Sequence, residues 1–336
     1  MCIFRLIDMN KSGRDILQVS DLKTYFFTGR GVVKAVDGVS FHLKEGETLG
    51  IVGESGCGKS MTALSIMRMV PQPAGRIVGG EIKLNGENLL EKSEREMRRI
   101  RGSKISIILQ DPMSSLNPVF TIGSQVGETI RIHQKLKGSK LVAKIKEALR
   151  LVRIPSPEVR MRDFPHQMSG GMRQRVTGAI ALSCEPLVLI ADEPTTSLDV
   201  TIQAQYLNLL KEVQQEMNVA FIFISHDFSV VARMCDTVMV MYAGKIVESA
   251  GVRELLKNPS HPYTMGLLKC VPRLEAKAET LYAINGQPPA LLDAPEVCRF
   301  APRCPERNES CREATPPFVA VGQGHQVSCW RRGNNS

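Results

Sequence analysis

The sequence has no apolar run long enough to cross a membrane. Its clearest apolar stretches, at 187–191, 219–224 and 238–242, fall well short of the roughly 18 residues that a membrane-spanning helix needs. A signal-peptide pattern is also missing, because Asp8 interrupts the first apolar stretch and no small-residue cleavage site follows it. These absences favour a chain that stays in the cytosol unless a partner holds it elsewhere.

The composition describes a globular protein with no tandem repeat and no low-complexity tract. Of the 336 residues, 43% are hydrophobic and 23% are charged, and this length suits one large domain and a smaller one. The formal net charge of +9 would suit nucleic acid, an anionic membrane surface or nucleotide phosphates. Because the basic residues are spread through the chain, charge alone does not choose among these partners.

Residues 53–60 have the pattern G-x-x-x-x-G-K-S of a phosphate-binding loop. An apolar stretch at 48–52 predicts a buried strand before the loop, and residues 61–67 predict a helix after it. The glycines let backbone N–H groups converge on phosphate oxygens, and the helix N-terminus adds positive charge there. Lys59 should reach the outer phosphates, and Ser60 should hold Mg²⁺. The predicted phosphate site comprises Gly53, Glu54, Ser55, Gly56, Cys57, Gly58, Lys59, Ser60 and Met61.

A second element of the site is an apolar strand at 187–191 that ends in Asp192 and Glu193. Asp192 is placed to bind Mg²⁺ directly or through water. Glu193, one residue further, can orient or deprotonate the attacking water. A pair of capping acids is the alternative, and a phosphate loop in the same chain makes it the weaker one.

Three more polar residues follow predicted strands, namely Gln110, Asp199 and His226. Strands and helices alternate from 168 onward, which predicts a mainly parallel sheet whose strand ends meet at one edge. Gln110 could then reach Mg²⁺ or the attacking water, and His226 could donate to the γ-phosphate. Each residue alone would more often be a surface or capping residue.

Other stretches predict accessory parts around this site. Two strands near 16–25 and 32–43 form an opening β region with three aromatic residues that could stack on a purine or pack in the core. Residues 121–152 have apolar side chains at helical spacing and read as a helical insertion. The pattern weakens beyond Gly251, where prolines accumulate, so the remainder reads as a small accessory domain.

The motifs together resemble the ATP-binding subunits of ABC transporters. The resemblance rests on six motifs in the family's order within residues 16–245: Walker A at 53–60, the Q-loop at Gln110, the signature at Met168-Ser169-Gly170-Gly171-Met172, Walker B at 187–193, the D-loop at Ser197-Leu198-Asp199 and the switch residue His226. It implies an α/β P-loop fold, with a mixed sheet, an antiparallel β region and a helical subdomain. The implied ATPase domain is 1–255, with the helical subdomain at about 113–168, and an extension with four cysteines follows at 256–336.

The resemblance also implies how the chain works. Two subunits would pair head to tail, with each ATP between the Walker residues of one and Ser169, Gly170 and Gly171 of the other. The signature departs from the usual L-S-G-G-Q at its two methionines, but its serine and glycines are present. Glu193, His226 and Gln110 would be the catalytic residues, while Ser60, Gln110 and Asp192 would hold Mg²⁺. Phe26 would stack on adenine, with Tyr25 and Phe27 beside it, and the helical subdomain would dock on a permease.

A narrower resemblance points to the dipeptide and oligopeptide permease ATPases of the peptide/nickel import group, and to their D-type subunit. The runs at 110–118, 191–201 and 261–264 carry it. It implies a second, non-identical ATPase, two permease subunits, an extracytoplasmic solute-binding protein and a peripheral place on the cytoplasmic face of the inner membrane.

Three alternatives stay open at this point. One is import of nickel or another small solute by the same kind of subunit. Another is a non-transport ABC ATPase acting on nucleic acid, although such proteins usually carry two cassettes or a long coiled coil, and this chain has neither. The third is a small-molecule kinase, which would leave the signature and the D-loop unexplained.

Four of the nine cysteines cluster near the C-terminus with spacing C-x₅-C-x₆-C-x₁₇-C. The spacing fits neither a zinc ribbon nor the bacterial ferredoxin run, so the residues alone leave metal binding and reduced structural thiols equally open. The resemblance implies a 4Fe–4S cluster held by Cys298, Cys304, Cys311 and Cys329.

Overall fold

A computed structural model describes residues 13–111, 115–271 and 282–332 of the chain. Four segments lie outside the described residues: the first residues of the predicted ATPase domain, the predicted start of the helical subdomain at 113, the stretch 272–281 and the last four residues of the extension. In the part described, no helix combines the length and the apolar character needed to span a membrane.

The described strands form two sheets. The main sheet has eight strands in the order β11-β12-β10-β9-β3-β8-β7-β6, and the smaller has four in the order β2-β1-β4-β5. The strands are β1 (Asp15–Thr28), β2 (Gly31–Lys44), β3 (Thr48–Val52), β4 (Gly75–Leu84), β5 (Glu87–Asn88), β6 (Ile105–Ile108), β7 (Val188–Asp192), β8 (Ala220–Ser225), β9 (Thr237–Tyr242), β10 (Lys245–Gly251), β11 (Phe318–Gly322) and β12 (His325–Ser328).

Helices cover the main sheet and build the insertion. Those described are α1 (Lys59–Ile66), α2 (Glu94–Ile100), α3 (Ile122–Gln134), α4 (Gly138–Leu151), α5 (Pro157–Arg160), α6 (Gly170–Leu182), α7 (Val200–Met217), α8 (Phe228–Met234), α9 (Val252–Lys257), α10 (Pro262–Lys269) and α11 (Ser310–Glu313).

The centre of the main sheet is parallel because its strands are apolar on both faces. Every residue of β3, β7 and β8 is buried, as the runs T-L-G-I-V, V-L-I-A-D and A-F-I-F-I-S require. Strand β3 pairs in parallel with β8 and β9, while β7 pairs in parallel with β6 and β8. The carboxyl ends of these strands therefore meet at one edge of the sheet.

The predicted antiparallel β region and helical subdomain both form. The smaller sheet packs its buried face against α1 and the main sheet, and Thr24 and Ser65 share a buried hydrogen bond of 2.7 Å across that contact. In the helical subdomain, α3 buries Ile122, Val126 and Ile130, which lie four residues apart and face one side of the helix. This apolar stripe joins the large core cluster that includes α4, α6 and the sheet.

The C-terminal extension continues the main sheet, which the sequence pattern does not predict. Strand β12 pairs with β10 through Glu248 and Val327, and β11 pairs with β12. Glu248 is fully buried at this joint, where it accepts hydrogen bonds from the backbone of Ser260 and His261 and contacts His325 at 2.8 Å. The division of the chain near residue 255 stays a prediction.

Buried His261 should make the protein less stable in acid. Burial, followed by the charge of Arg332, lowers its pKa from 6.5 to about 3, and its Nδ1 accepts a hydrogen bond from Tyr263. Because the folded state keeps this ring neutral while the unfolded chain protonates it, the stabilisation is complete above pH 6.5 and is lost as the pH falls toward 3.

The variant His261→Asn can still cap α10 but does not titrate. When the pH falls from 7.5 to 5.5, we expect the free energy of unfolding to decrease by about 1.4 kcal/mol more in the wild type than in this variant. Urea unfolding at both pH values measures the difference. Equal losses in the two proteins would show that His261 is not buried in neutral form. An exposed histidine variant, His166→Asn, is the control.

Candidate functional site

The predicted phosphate loop joins the end of β3 to the start of α1. Gly53 and Gly58 have φ angles of 156° and 109°. A Cβ on Gly53 would lie 2.2 Å from the carbonyl oxygen of Met241, and one on Gly58 would lie 2.3 Å from that of Ala35. Both positions therefore need glycine for close backbone contact as well as for conformation. No side chain caps the N-terminus of α1, and no acidic residue lies in its first turn, which suits an anionic ligand.

Lys59 is almost completely buried, with 5% of its surface exposed. Its Nζ donates to the carbonyl oxygens of Gly53 at 2.8 Å and Glu54 at 3.1 Å. The ammonium group therefore lies inside the curve of the loop. A phosphate bound to the loop would meet this charge directly.

Two of the three predicted Mg²⁺ ligands, Ser60 and Asp192, lie side by side, whereas the third, Gln110, contacts Glu193. Ser60 Oγ donates to Asp192 Oδ1 at 3.0 Å, joining the start of α1 to the end of β7. Burial raises the pKa of Asp192, as does the charge of Glu193, while the hydrogen bond from Ser60 and the charge of Lys59 lower it. A hydroxyl and a buried carboxylate at one point are hard oxygen donors, and this donor set fits Mg²⁺.

Three side chains converge on one oxygen of Glu193. Its Oε2 accepts from Gln110 at 3.2 Å and from Thr196 at 3.0 Å, and it lies 3.1 Å from His226 Nδ1. Glu193 has a φ of 46°, and its backbone N–H donates to Ile224 on β8. This left-handed turn ends β7 and separates the Glu193 side chain from that of the preceding aspartate. The structure thus brings together the three residues that the sequence predicts to be catalytic.

The signature segment begins α6. Ser169 caps this helix by accepting the backbone N–H three residues later at 3.3 Å. A Cβ on Gly170 would meet open space, whereas one on Gly171 would lie 2.7 Å from Ile202 on α7. Among the described residues, no hydrogen bond joins this segment to the loop at 53–60. The arrangement is compatible with a second chain contributing its signature.

The D-loop residue Asp199 caps α7 by accepting from Ile202 at 3.0 Å. The next residue, Val200, has 81% of its surface exposed. An apolar side chain next to the D-loop is thus open to solvent in the isolated chain.

The three aromatics at the end of β1 differ in their surroundings. Tyr25 donates to Asp37 at 2.6 Å, so its side chain is already engaged. Phe27 is 46% exposed and carries Arg76 over its ring at 5.7 Å. Phe26 is partly buried against Gly75. Phe26 stays a prediction for the adenine contact.

Sequence reasoning missed three residues that contact the site. Thr196 donates to Glu193 and lies in the run 191–201 that carries the family resemblance, so its spacing after the acidic pair was a usable signal. Tyr263 accepts from the backbone of Glu54, and Arg303 binds the Glu54 carboxylate. Both come from the extension, and nothing in their local sequence indicates this contact.

The predicted 4Fe–4S cluster is wrong. Cys298, Cys304, Cys311 and Cys329 all lie in the part of the chain that the structure describes, and all four are free thiols. Within that part, no group of three or more histidine, cysteine, aspartate or glutamate side chains could hold a metal ion.

The surroundings of these cysteines explain the correction. Burial raises the pKa of Cys298 to about 11 and also raises the pKa of Cys304 and Cys329. The Cys311 thiol donates to Asn308 Oδ1 at 2.9 Å. Cys298 and Cys304 pack against the main apolar core. These cysteines are therefore packing residues of the extension.

Comparison with solved structures agrees with this geometry. A structure titled as the dimeric structure of MJ0796, a bacterial ABC transporter cassette, matches with a TM-score of 0.62 and 25% identity, covering 70% of this chain and 99% of that one. CbiO1 of Clostridium perfringens, described as part of an ABC transporter complex, matches with a TM-score of 0.62 and 27% identity, covering 73% and 91%. The fold and site define an ABC-type ATPase.

Sequence comparison narrows this class. A family model described as ABC transporter matches residues 36–196, and one described as the oligopeptide/dipeptide transporter C-terminal region matches 247–311. A probable peptide ABC transporter ATP-binding protein, y4tR of Sinorhizobium fredii, is 51% identical across 94% of this chain and 95% of its own length.

Two further relatives have similar names and coverage. The dipeptide transport ATP-binding protein DppD of Bacillus subtilis is 48% identical, covering 94% of each chain. The oligopeptide transport ATP-binding protein OppD of Escherichia coli is 46% identical, covering 94% of this chain and 93% of its own. This chain belongs to the ABC transporter family, in the group of ATP-hydrolysing subunits that carry the oligopeptide/dipeptide transporter C-terminal region. The family prediction from the sequence motifs is confirmed.

Replacing Lys59 should remove most nucleotide affinity. We expect Lys59→Ala to raise the Kd for MgATP by about tenfold or more, because the loop loses the buried charge that faces the phosphates. Isothermal titration measures the Kd, and Lys140→Ala on the exposed face of α4 is the matched control. If Lys59→Ala binds ATP as tightly as the control, the phosphate-loop assignment is wrong.

Proposed function

We propose that this chain is the ATP-hydrolysing subunit of an importer for dipeptides or oligopeptides. The observation that carries the proposal is the similarity to peptide transport ATP-binding proteins along 94% of the chain, including the C-terminal region. Its partners would be a second, non-identical ATPase, two permease subunits and an extracytoplasmic solute-binding protein. The chain would work at the cytoplasmic face of the inner membrane without spanning it.

In this proposal the phosphate loop binds ATP, and the acidic pair contributes to Mg²⁺ binding and to proton transfer. Lys59 and the loop N–H groups bind and orient the phosphates of ATP. Ser60, Asp192 and Gln110 would hold Mg²⁺, which when bound neutralises charge on the phosphates. Glu193 takes the proton of the attacking water, and this role explains why a hydrogen-bonded carboxylate lies beside the predicted Mg²⁺ ligands.

The contacts around Glu193 give its neighbours distinct roles. Gln110 and Thr196 orient its carboxylate by donating to Oε2. His226 is 59% exposed, whereas Glu193 is 15% exposed, so the imidazole lies on the open side of the pair, where it can meet the γ-phosphate. The preceding aspartate is more deeply buried, in keeping with a ligand role.

The signature would serve the ATP of the partner ATPase. Ser169, Gly170 and Gly171 start a helix of 13 residues, and the space beside Gly170 is open. A helix N-terminus at an open surface suits the γ-phosphate of a nucleotide held by another chain. Closure of the two ATPases around ATP would then move the permease.

An apolar surface on the helical subdomain is the proposed permease contact. Val119, Phe120 and Val159 are 71%, 53% and 57% exposed. Backbone hydrogen bonds from Ile122 to Asp163 and from Gly123 to Met161 hold their two segments together. Exposed apolar residues on adjoining segments are typical of protein contacts. Gln110 would connect this surface to Glu193.

Replacing the proposed base should separate ATP binding from hydrolysis. We expect Glu193→Gln to bind MgATP normally but to lower turnover by roughly 100-fold or more, because the amide cannot accept the proton. Phosphate release and nucleotide titration measure the two properties, and Glu158→Gln on α5 is the matched control. A deletion strain carrying Glu193→Gln should also fail to take up a labelled dipeptide. Wild-type turnover in this variant would exclude Glu193 as the base.

A charge in the apolar surface should weaken permease binding. We expect Phe120→Asp to lose about 2 kcal/mol, near thirtyfold in Kd, while the basal ATPase rate of the isolated chain stays unchanged. Co-sedimentation with membranes that contain the permease measures the Kd. Ile132→Asp is the control, since that residue is also exposed, at 61%, but lies about 15 Å further along α3. Equal binding by the two variants would rule out this surface.

A further inference from the structure

The C-terminal extension forms hydrogen bonds with Glu54, the second residue of the phosphate loop. The hydroxyl oxygen of Tyr263 accepts the Glu54 backbone N–H at 2.8 Å. The guanidinium of Arg303 binds the Glu54 carboxylate through two hydrogen bonds, of 2.7 Å and 3.0 Å. Main chain and side chain of one loop residue are therefore fixed by residues more than 200 positions further along the chain.

Arg303 is itself held rigidly. Its side chain is only 4% exposed, and it donates to the carbonyl oxygens of Ile284 and Asn285 at 3.3 Å and 3.1 Å. Its guanidinium also lies 5.9 Å from the ring centre of Tyr242. The hydrogen bond to Glu54 raises the pKa of Arg303, which therefore stays charged. A partly buried ion pair with two parallel hydrogen bonds fixes geometry more strongly than a fully exposed pair does.

An aromatic cluster fixes the other contact. Tyr263 is fully buried, and its ring centre lies 4.5 Å from that of Tyr242 and 5.4 Å from that of Phe300. Tyr242 ends β9, which neighbours β3 in the main sheet. The Tyr263 hydroxyl is thus set by the packing between sheet and extension, and the position of the Glu54 N–H follows from it.

The extension also reaches toward the strand β1 aromatics, where the adenine ring of ATP is expected. Arg299 Nη2 donates to Asp37 Oδ2, and Tyr25, next to Phe26, donates to the other oxygen of the same carboxylate. Burial alone would raise the pKa of Asp37, but the hydrogen bond from Tyr25 and the charges of Lys245 and Arg299 lower it. Arg303 therefore contacts the phosphate loop, while Arg299, four residues earlier, contacts the hydrogen-bond partner of Tyr25.

We propose that Tyr263 and Arg303 are positioning residues of the phosphate loop, so that docking of the extension sets the affinity for MgATP. The proposal rests on the role of residues 53–60 in nucleotide binding. Lys59 is held by the carbonyl oxygens of Gly53 and Glu54, so a freed Glu54 would loosen the support of the phosphate-binding charge. A loop that populates its binding shape only part of the time binds its ligand more weakly by that fraction.

The competing explanation is that these contacts only attach the extension to the ATPase. It predicts that loss of Arg303 lowers stability without changing nucleotide binding. The two explanations therefore differ in the Kd for MgATP and in whether Arg303 acts through Glu54.

A double-mutant cycle on the full-length chain separates them. We expect Arg303→Met to raise the Kd for MgATP about tenfold, or about 1.4 kcal/mol, and Glu54→Gln to raise it similarly. If Arg303 acts through Glu54, the double variant should bind no more weakly than the weaker single variant. Arg303→Lys keeps the positive charge but cannot form the two parallel hydrogen bonds of a guanidinium, so it should recover only part of the affinity. Titration at saturating Mg²⁺ gives the Kd.

Controls make each outcome decisive. Arg332→Met removes another extension arginine, which bonds Ser260 and Glu306 but not the loop, and its Kd should match wild type. If Arg303→Met does not fold, Tyr263→Phe removes only a hydroxyl and should still raise the Kd severalfold. Normal binding by a folded Arg303→Met or by Tyr263→Phe, or effects that multiply in the double variant, would overturn the proposal. Tight binding by Lys59→Ala would instead overturn the phosphate-loop assignment on which it rests.

Discussion

The parallel pairing of β3, β8, β7 and β6 is the constraint on which the rest of the structure depends. Because parallel strands end at the same edge, residues separated by 33 to 132 positions meet without any local signal that they should. The contacts of Gln110 and His226 with Glu193 join the ends of neighbouring strands, and the hydrogen bond from Ser60 to Asp192 joins the ends of β3 and β7, on either side of β8. A shift in the register of one strand would displace the residues at its end and break these contacts.

The extension adds a second constraint on the same site. It continues the main sheet through β12 and β11, and it reaches the loop through Tyr263 and Arg303. A domain that served only to recruit a partner would not need a partly buried ion pair with the phosphate loop. The geometry instead couples extension and nucleotide, and such coupling is reciprocal, so whatever binds the extension would also bias ATP binding.

The features that could be predicted from the sequence are those defined by residue type and spacing within a short segment. The glycine loop, the acidic pair after an apolar strand and the helical stripe of α3 all follow from residue type and spacing, and each occurs in the structure. The pairing of β12 with β10 and the contacts of Arg303 depend on tertiary packing, so no short pattern reveals them. The four C-terminal cysteines show the opposite failure, because the family resemblance implied a cluster but carried no information about how these thiols pack in this chain.

We expect ATP hydrolysis by this chain to be coupled to peptide import through a permease. The most direct measurement is the ATPase rate of the chain reconstituted in vesicles with a peptide permease, a second ATPase and a solute-binding protein. The account predicts that peptide-loaded binding protein stimulates hydrolysis severalfold and that nucleic acid has no effect. A rate that ignores peptide and permease, or that rises with nucleic acid, would contradict it.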